Sequence, residues 1–371
     1  MLIGLSFVAF GRRIAHAGSV YAYVGQVFGA RWGFVAGWLL LLTYVVFTAG
    51  ATALAGGLAA AGLARAGIGT PDLWLPMSVA GAAAAGWLVW TDTRIAMRLM
   101  LALEGVSVAA ILLLALVILT QVPLSPLPLA PDADHGWSGV GLGIVFAITS
   151  FAGFEGAATL GEEAHDPKRA IPLAVLGTVV VASLFYVLVS YAAVMGYGLD
   201  QIEALGQAEA PLDVLASRFI SGKFAVMIDL AAAASGFACV IGTLAAGSRL
   251  IYALGRVGLT PMFGKIHPRH GTPTRAVLLM SGINIAGLLL VHPSGFVTYA
   301  VGLATIGTLA LILVYLGVTA AETVVALRRG RRTGPWSAAW VRSCCCGRWG
   351  TACIRCRTGL EACGPIWSPP G

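Results

Sequence analysis

Long apolar runs separated by short polar loops set the pattern of this chain, and their length points to helices crossing a bilayer. The hydrocarbon core is about 30 Å thick, so a spanning helix needs about 20 mostly apolar residues. Runs of that length lie near 32–60, 73–91, 97–120, 138–161, 170–197, 224–254, 274–292 and 296–327. The apolar stretch 1–10 is too short to cross and reads as the tail of a helix. The pattern predicts an all-α integral membrane protein with about eight full transmembrane helices plus a remnant.

Charge tests this division, because Lys and Arg accumulate in the loops on the cytoplasmic side. Alternate loops separate sharply. One side holds 16 basic residues, among them Arg12, Arg13, Arg31, Arg94, Arg98, Lys168, Arg256, Lys265 and Arg275, and the other holds only Arg65, Arg218 and Lys223. The Arg12 side is therefore expected to be cytoplasmic. The loop 121–137 then faces outward, as does 197–222, whose segment 211–220 has the alternation of a helix lying at the interface. Composition agrees: 58% hydrophobic residues with 11% charged exclude a soluble enzyme. The net charge of +7 is a feature of topology, and nucleic acid is not expected as a partner.

Two features inside the spans carry candidate chemistry. In Ile148-Thr-Ser-Phe-Ala-Gly153-Phe-Glu155-Gly156 two glycines flank an aromatic residue and a carboxylate. Backbone broken at membrane depth is tolerated only where protein buries it or it lines a cavity. Unwinding there would free carbonyl oxygens for an ammonium group and set a half-helix start toward an anionic one. The alternative is an intact helix with a glycine packing face and Glu155 turned to a neighbour. The second feature is Glu104, six residues past Arg98 or about 9 Å along a helix. It is either a buried proton acceptor or a side chain reaching the cytoplasmic interface. A carboxylate inside a membrane is costly enough that both acids are candidates for coupling or gating.

The stretch Phe151-Ala-Gly-Phe-Glu155-Gly-Ala-Ala-Thr-Leu-Gly-Glu162-Glu163-Ala-His-Asp166-Pro167-Lys-Arg-Ala-Ile-Pro172 resembles the amino acid, polyamine and organocation transporter superfamily, at its broken sixth helix and the following loop. Gly18-Ser-Val-Tyr21-Ala-Tyr23 through Gly37-Trp38 is similar to the family's approach to helix three. Ser248-Arg249-Leu-Ile-Tyr252 through Gly271-Thr-Pro273 is similar to the end of helix eight and its loop. The resemblance covers about 2–332. It implies an inverted-repeat transporter fold with substrate near the midplane, and secondary active transport of amino acids by alternating access, coupled to protons. The backbone at Ser150, Phe151, Ala152 and Gly153, with Phe154 beside them, would receive the substrate ammonium. Thr149 would stand at a gating position. Thr48, Cys239 and Thr243 would line the pocket, though each is also an ordinary packing residue. Glu155 and Glu104 are the coupling or gating candidates. The resemblance implies a multi-pass protein of the cytoplasmic membrane, with an amino acid, the proton and the bilayer as partners and no cofactor or metal.

The chain also departs from the family. Counted from the motifs, 1–10 is the end of helix two, so the permease domain 1–332 is expected to hold family helices two to ten, incomplete for want of helix one. Residues 333–371 hold six of the seven Cys. Cys353 and Cys356 have the spacing of a zinc site, but the tail lacks His and apolar periodicity and reads as an aberrant cytoplasmic tail, disordered or frameshifted. Two alternatives to amino acid transport stand beside it: a non-transporting membrane sensor or decayed fragment, and a transporter of polyamines or another organocation.

Overall fold

The computed structural model describes residues 2–11, 20–91, 93–129, 147–148, 150–156, 166–208, 210–258, 261–267, 271–291 and 295–328. Helices α1 (Leu2–Gly11) and α2 (Val20–Phe28) lead into α3 (Ala30–Arg65), α4 (Trp74–Thr91) and α5 (Thr93–Gln121). After the broken segment come α6 (Pro167–Tyr197), the short α7 (Ile202–Gln207) and α8 (Pro211–Phe219). The long α9 (Gly222–Arg256), α10 (Thr274–Val291) and α11 (Phe296–Arg328) complete the order. All regular structure among the described residues is helical, as the apolar runs predict.

The number of spans differs from the eight expected. Among the described residues six helices are long and apolar enough to cross: Ala30–Arg65, Pro71–Thr91, Arg94–Gln121, Arg169–Tyr197, Gly222–Arg256 and Phe296–Arg328. The run 274–292 does fold into one helix, α10, but 18 residues rise only about 27 Å, just short of the hydrocarbon thickness. Most of 138–161 lies outside the described residues. The expected tail 333–371 lies outside them entirely.

The loop expected before the first full span is instead partly helical. α2 stops at Phe28, and Gly29, at a φ of 92° that side chains disfavour, lets the chain turn and restart as α3. The expected interfacial helix at 211–220 is present as α8, with Asp213, Leu215 and Ala216 buried.

Residues 1–322 form one compact unit, in which α3 and α9 make the most extensive helix pair; of a second, 323–371, only the last turns of α11 are described. Small residues permit close approach without an apolar drive for association in lipid. A Cβ at Gly56 of α3 would lie 2.5 Å from the backbone nitrogen of Ser78 on α4. Two buried clusters flank the central pair. Leu114, Ile118, Leu215 and Ile228 join α5, α8 and α9, while Ala53, Ala82, Leu288 and Tyr299 join α3, α4, α10 and α11. Side-chain hydrogen bonds reinforce the packing: Ser107 Oγ of α5 donates to Ala231 O of α9 at 2.6 Å, and Thr272 Oγ1, just before α10, to Trp90 O of α4 at 2.9 Å. Outward-facing Leu101, Leu184 and Leu290 present the apolar surface expected of lipid contact.

At the end of the bundle opposite the basic loops, Arg65 closes α3 and forms ion pairs with Asp213 of α8 and, at 3.4 Å, with Asp229 of α9. Both carboxylates are almost fully buried while the arginine is half-exposed. One cation thus anchors the interfacial helix to the two central ones.

Candidate functional site

The site begins where the helix at Ile148 and Ser150 stops. Phe151 N makes the last helical bonds, to Ala147 O and Ile148 O at 3.2 Å each, and a turn follows, closed by Gly156 N donating to Gly153 O at 2.9 Å. Gly153 has a φ of 114°, a conformation that side-chain-bearing residues rarely adopt, and a Cβ there would meet open space. Backbone conformation, not crowding, explains the glycine. The segment is therefore unwound, and Glu155 is also turned to a neighbour, so both readings of the sequence pattern hold in part.

Glu155 is 1% exposed. Its Oε2 accepts from Gly153 N at 2.9 Å and from Tyr315 Oη of α11 at 2.8 Å. Around it stands an aromatic cluster. Phe154 stacks on Tyr315 with centroids 5.3 Å apart, and Phe7 of α1 meets both edge-on at 5.3 and 5.9 Å. Phe154 is thus placed in this cluster and buried. Tyr44 of α3 lies within electrostatic reach of Glu155, and its buried phenol has no hydrogen-bond partner among the described residues.

On the other side of the break, Tyr186 of α6 donates to Ser150 O at 2.7 Å and meets the Phe151 ring edge-on at 5.5 Å. The Ser150 carbonyl is thus already engaged, as is that of Gly153. Phe151 O and Ala152 O accept no hydrogen bond among the described residues. Thr149 lies outside the described residues.

Of the pocket-lining candidates, Thr48 is on α3, while Cys239 and Thr243 lie along one face of α9, where Ser235 continues the same four-residue spacing. Ser235 Oγ donates to Glu104 Oε2 at 2.8 Å, so Glu104 turns into the bundle toward α9. Thr48 Oγ1 meets Thr243 Oγ1 at 2.9 Å, and Thr52, one turn on, accepts from Asn284 Nδ2 of α10 at 2.9 Å. Cys239 lies deep among the helices yet is exposed, so it faces an open space. Glu104 is within electrostatic reach of both Tyr186 and Cys239. A polar band therefore runs from the unwound segment through Tyr186 to Glu104 and Cys239, and along α9 to Thr243 and Thr48. Among the described residues no three His, Cys, Asp or Glu side chains converge as metal ligands would.

Sequence reading did not single out Tyr44, Tyr186 and Tyr315, the three phenols that organise the break. Each lies inside a mostly apolar run, and Tyr315 is a lone hydroxyl in Ile312-Leu-Val-Tyr315-Leu. That was the available signal, since a buried phenol in lipid needs a partner.

Comparison with known proteins agrees with this architecture. Residues 1–348 match the family model described as amino acid permease. The branched-chain amino acid permease BcaP of Lactococcus lactis is 25% identical over 338 residues, covering 85% of this chain and 70% of the relative. Cationic amino acid transporter 4 of Homo sapiens is 26% identical over 373 residues, covering 91% of this chain but 54% of its own length. The serine/threonine exchanger SteT of Bacillus subtilis is 23% identical, with 78% and 66% covered. The chain thus spans about half the length of the human relative. With a family match across most of the sequence and a bundle of apolar helices, this multi-pass protein of the cell membrane belongs to the amino acid permease family.

Proposed function

We propose that the chain carries the substrate-binding break of a secondary transporter that moves an amino acid across the cell membrane by alternating access, coupled to protons. One observation carries the reading: a helix unwound at 151–155, with two carbonyls that accept no hydrogen bond among the described residues on one side and a buried, tyrosine-held carboxylate on the other. Carbonyl oxygens at the start of a break suit an ammonium group. Glu155 is the coupling group in this reading, because it is buried and is held by the Gly153 N–H and the Tyr315 phenol, both of which can release it. Glu104, partly exposed and bonded to Ser235, serves as a pocket wall that biases the site toward cationic groups. Cys239 and Thr243 face the substrate side chain, and the buried Thr48 braces Thr243 from behind. The names of the relatives, which span branched-chain, cationic and hydroxylated amino acids, support an amino acid as substrate.

The test is uptake of labelled amino acids into proteoliposomes. Gly153→Pro fixes φ far from 114° and Glu155→Ala removes the carboxylate. Both are expected to abolish substrate-stimulated uptake. Normal uptake in both would remove the function from this segment.

A further inference from the structure

A groove of about 510 Å³ opens on the flank of the bundle, away from the polar band. Its walls are apolar throughout: Phe34, Trp38 and Val45 of α3, Leu254 of α9, Phe263 in the turn Pro261–Phe263, and Ile283 of α10. From Phe34 to Val45 it follows eleven residues of helix, about 16 Å. That is half of the roughly 30 Å hydrocarbon thickness, the depth of a single leaflet.

The mouth of the groove is basic. Arg31 stands one turn before Phe34, Arg256 ends α9, Lys265 follows Phe263 by two residues, and Arg275 opens α10, and all four are exposed. Arg275 Nη1 donates to Met262 O at 3.1 Å, which holds the turn that carries Phe263 against α10. The first Asp or Glu in the sequence is Asp72, and none occurs from 230 to 321. By the charge asymmetry of the loops this end lies at the cytoplasmic surface, where anionic headgroups concentrate.

We propose that the groove is a binding site for an anionic phospholipid of the cytoplasmic leaflet. One acyl chain lies along α3 between α9 and α10, and the phosphate sits among Arg31, Arg256, Lys265 and Arg275. The site joins the central pair α3 and α9 to α10, so occupancy braces the helices that carry Thr48, Cys239 and Thr243. The proposal rests on the membrane orientation and on the groove, and it stands whether or not the break transports amino acids.

Native mass spectrometry of the full chain in mild detergent tests it, titrating phosphatidylglycerol against phosphatidylcholine with identical acyl chains. Preferential binding of phosphatidylglycerol is expected. A basic residue near the surface contributes roughly fivefold in affinity for anionic lipid, so Arg31→Gln with Lys265→Gln should lose about 25-fold for phosphatidylglycerol and little for phosphatidylcholine. Leu42→Trp, which fills the groove, should weaken both. Gel filtration confirms that each variant remains folded. Equal affinity for the two lipids in the unaltered chain would overturn the proposal. Binding untouched by Leu42→Trp would too, as would a dimer cross-linked through Trp38→Cys, which would place a second copy in the groove.

Discussion

Tyr315→Phe isolates the contact on which the break depends. The substitution removes one oxygen and leaves the ring, so stacking on Phe154 at 5.3 Å and the edge contact with Phe7 are retained. What is lost is the 2.8 Å hydrogen bond to Glu155 Oε2. Hydrogen bonds to charged groups contribute about 1.5–3 kcal/mol, while interhelical bonds in a membrane protein average about 0.6 and reach about 1.7 kcal/mol. Glu155 is 1% exposed and keeps the Gly153 N–H in the variant. Water cannot replace the phenol, so a coupling of about 1–2 kcal/mol is expected. The assay is a double-mutant cycle of Tyr315→Phe and Glu155→Gln on reversible unfolding in mixed detergent, which isolates the pairwise term. The same energy corresponds to a 5- to 30-fold fall in uptake efficiency. Additive effects of the two substitutions, with a coupling under about 0.3 kcal/mol, would refute the reasoning.

Three further outcomes follow from the same geometry. Glu104→Gln keeps an acceptor for Ser235 Oγ, so pH dependence of uptake should survive it while affinity for cationic amino acids falls; a flattened pH profile would move coupling from Glu155 to Glu104. Thr48→Val removes the 2.9 Å bond to Thr243 while keeping shape, and is expected to raise KM several-fold with a stability change under about 1 kcal/mol, checked by uptake kinetics and unfolding. Arg65→Gln leaves Asp213 and Asp229 buried without their cation, and solvent screening at the half-exposed arginine brings the usual loss down to about 1–3 kcal/mol. Adding Asp229→Asn should recover part of that loss in the same unfolding assay.

The helical architecture was legible because lipid leaves the backbone one local solution, and the spans around α3, α5, α6, α9 and α11 lie where apolar length put them. Span counting was less secure at α10, where an 18-residue helix sits at the margin of the membrane thickness. The break at Gly153 was legible as a pair of glycines around a carboxylate. Whether it unwound was not, since that depends on Tyr186 and Tyr315, which are 36 and 160 positions away from the groups they hold. Thr48 and Thr243 were named through family resemblance, and their mutual bond spans 195 positions. The engaged carbonyl of Ser150 could not be read from sequence for the same reason. Local chemistry announces which groups need partners, and only the packed bundle decides which partners they get.

Accumulation of a labelled amino acid against its gradient bears most directly on Glu155 as the coupling group. Proteoliposomes with an imposed pH gradient would be loaded with the unaltered chain or with Glu155→Gln. The unaltered chain should concentrate substrate while the gradient lasts, and the variant should lose that concentrating uptake. Equal accumulation by both would contradict the account.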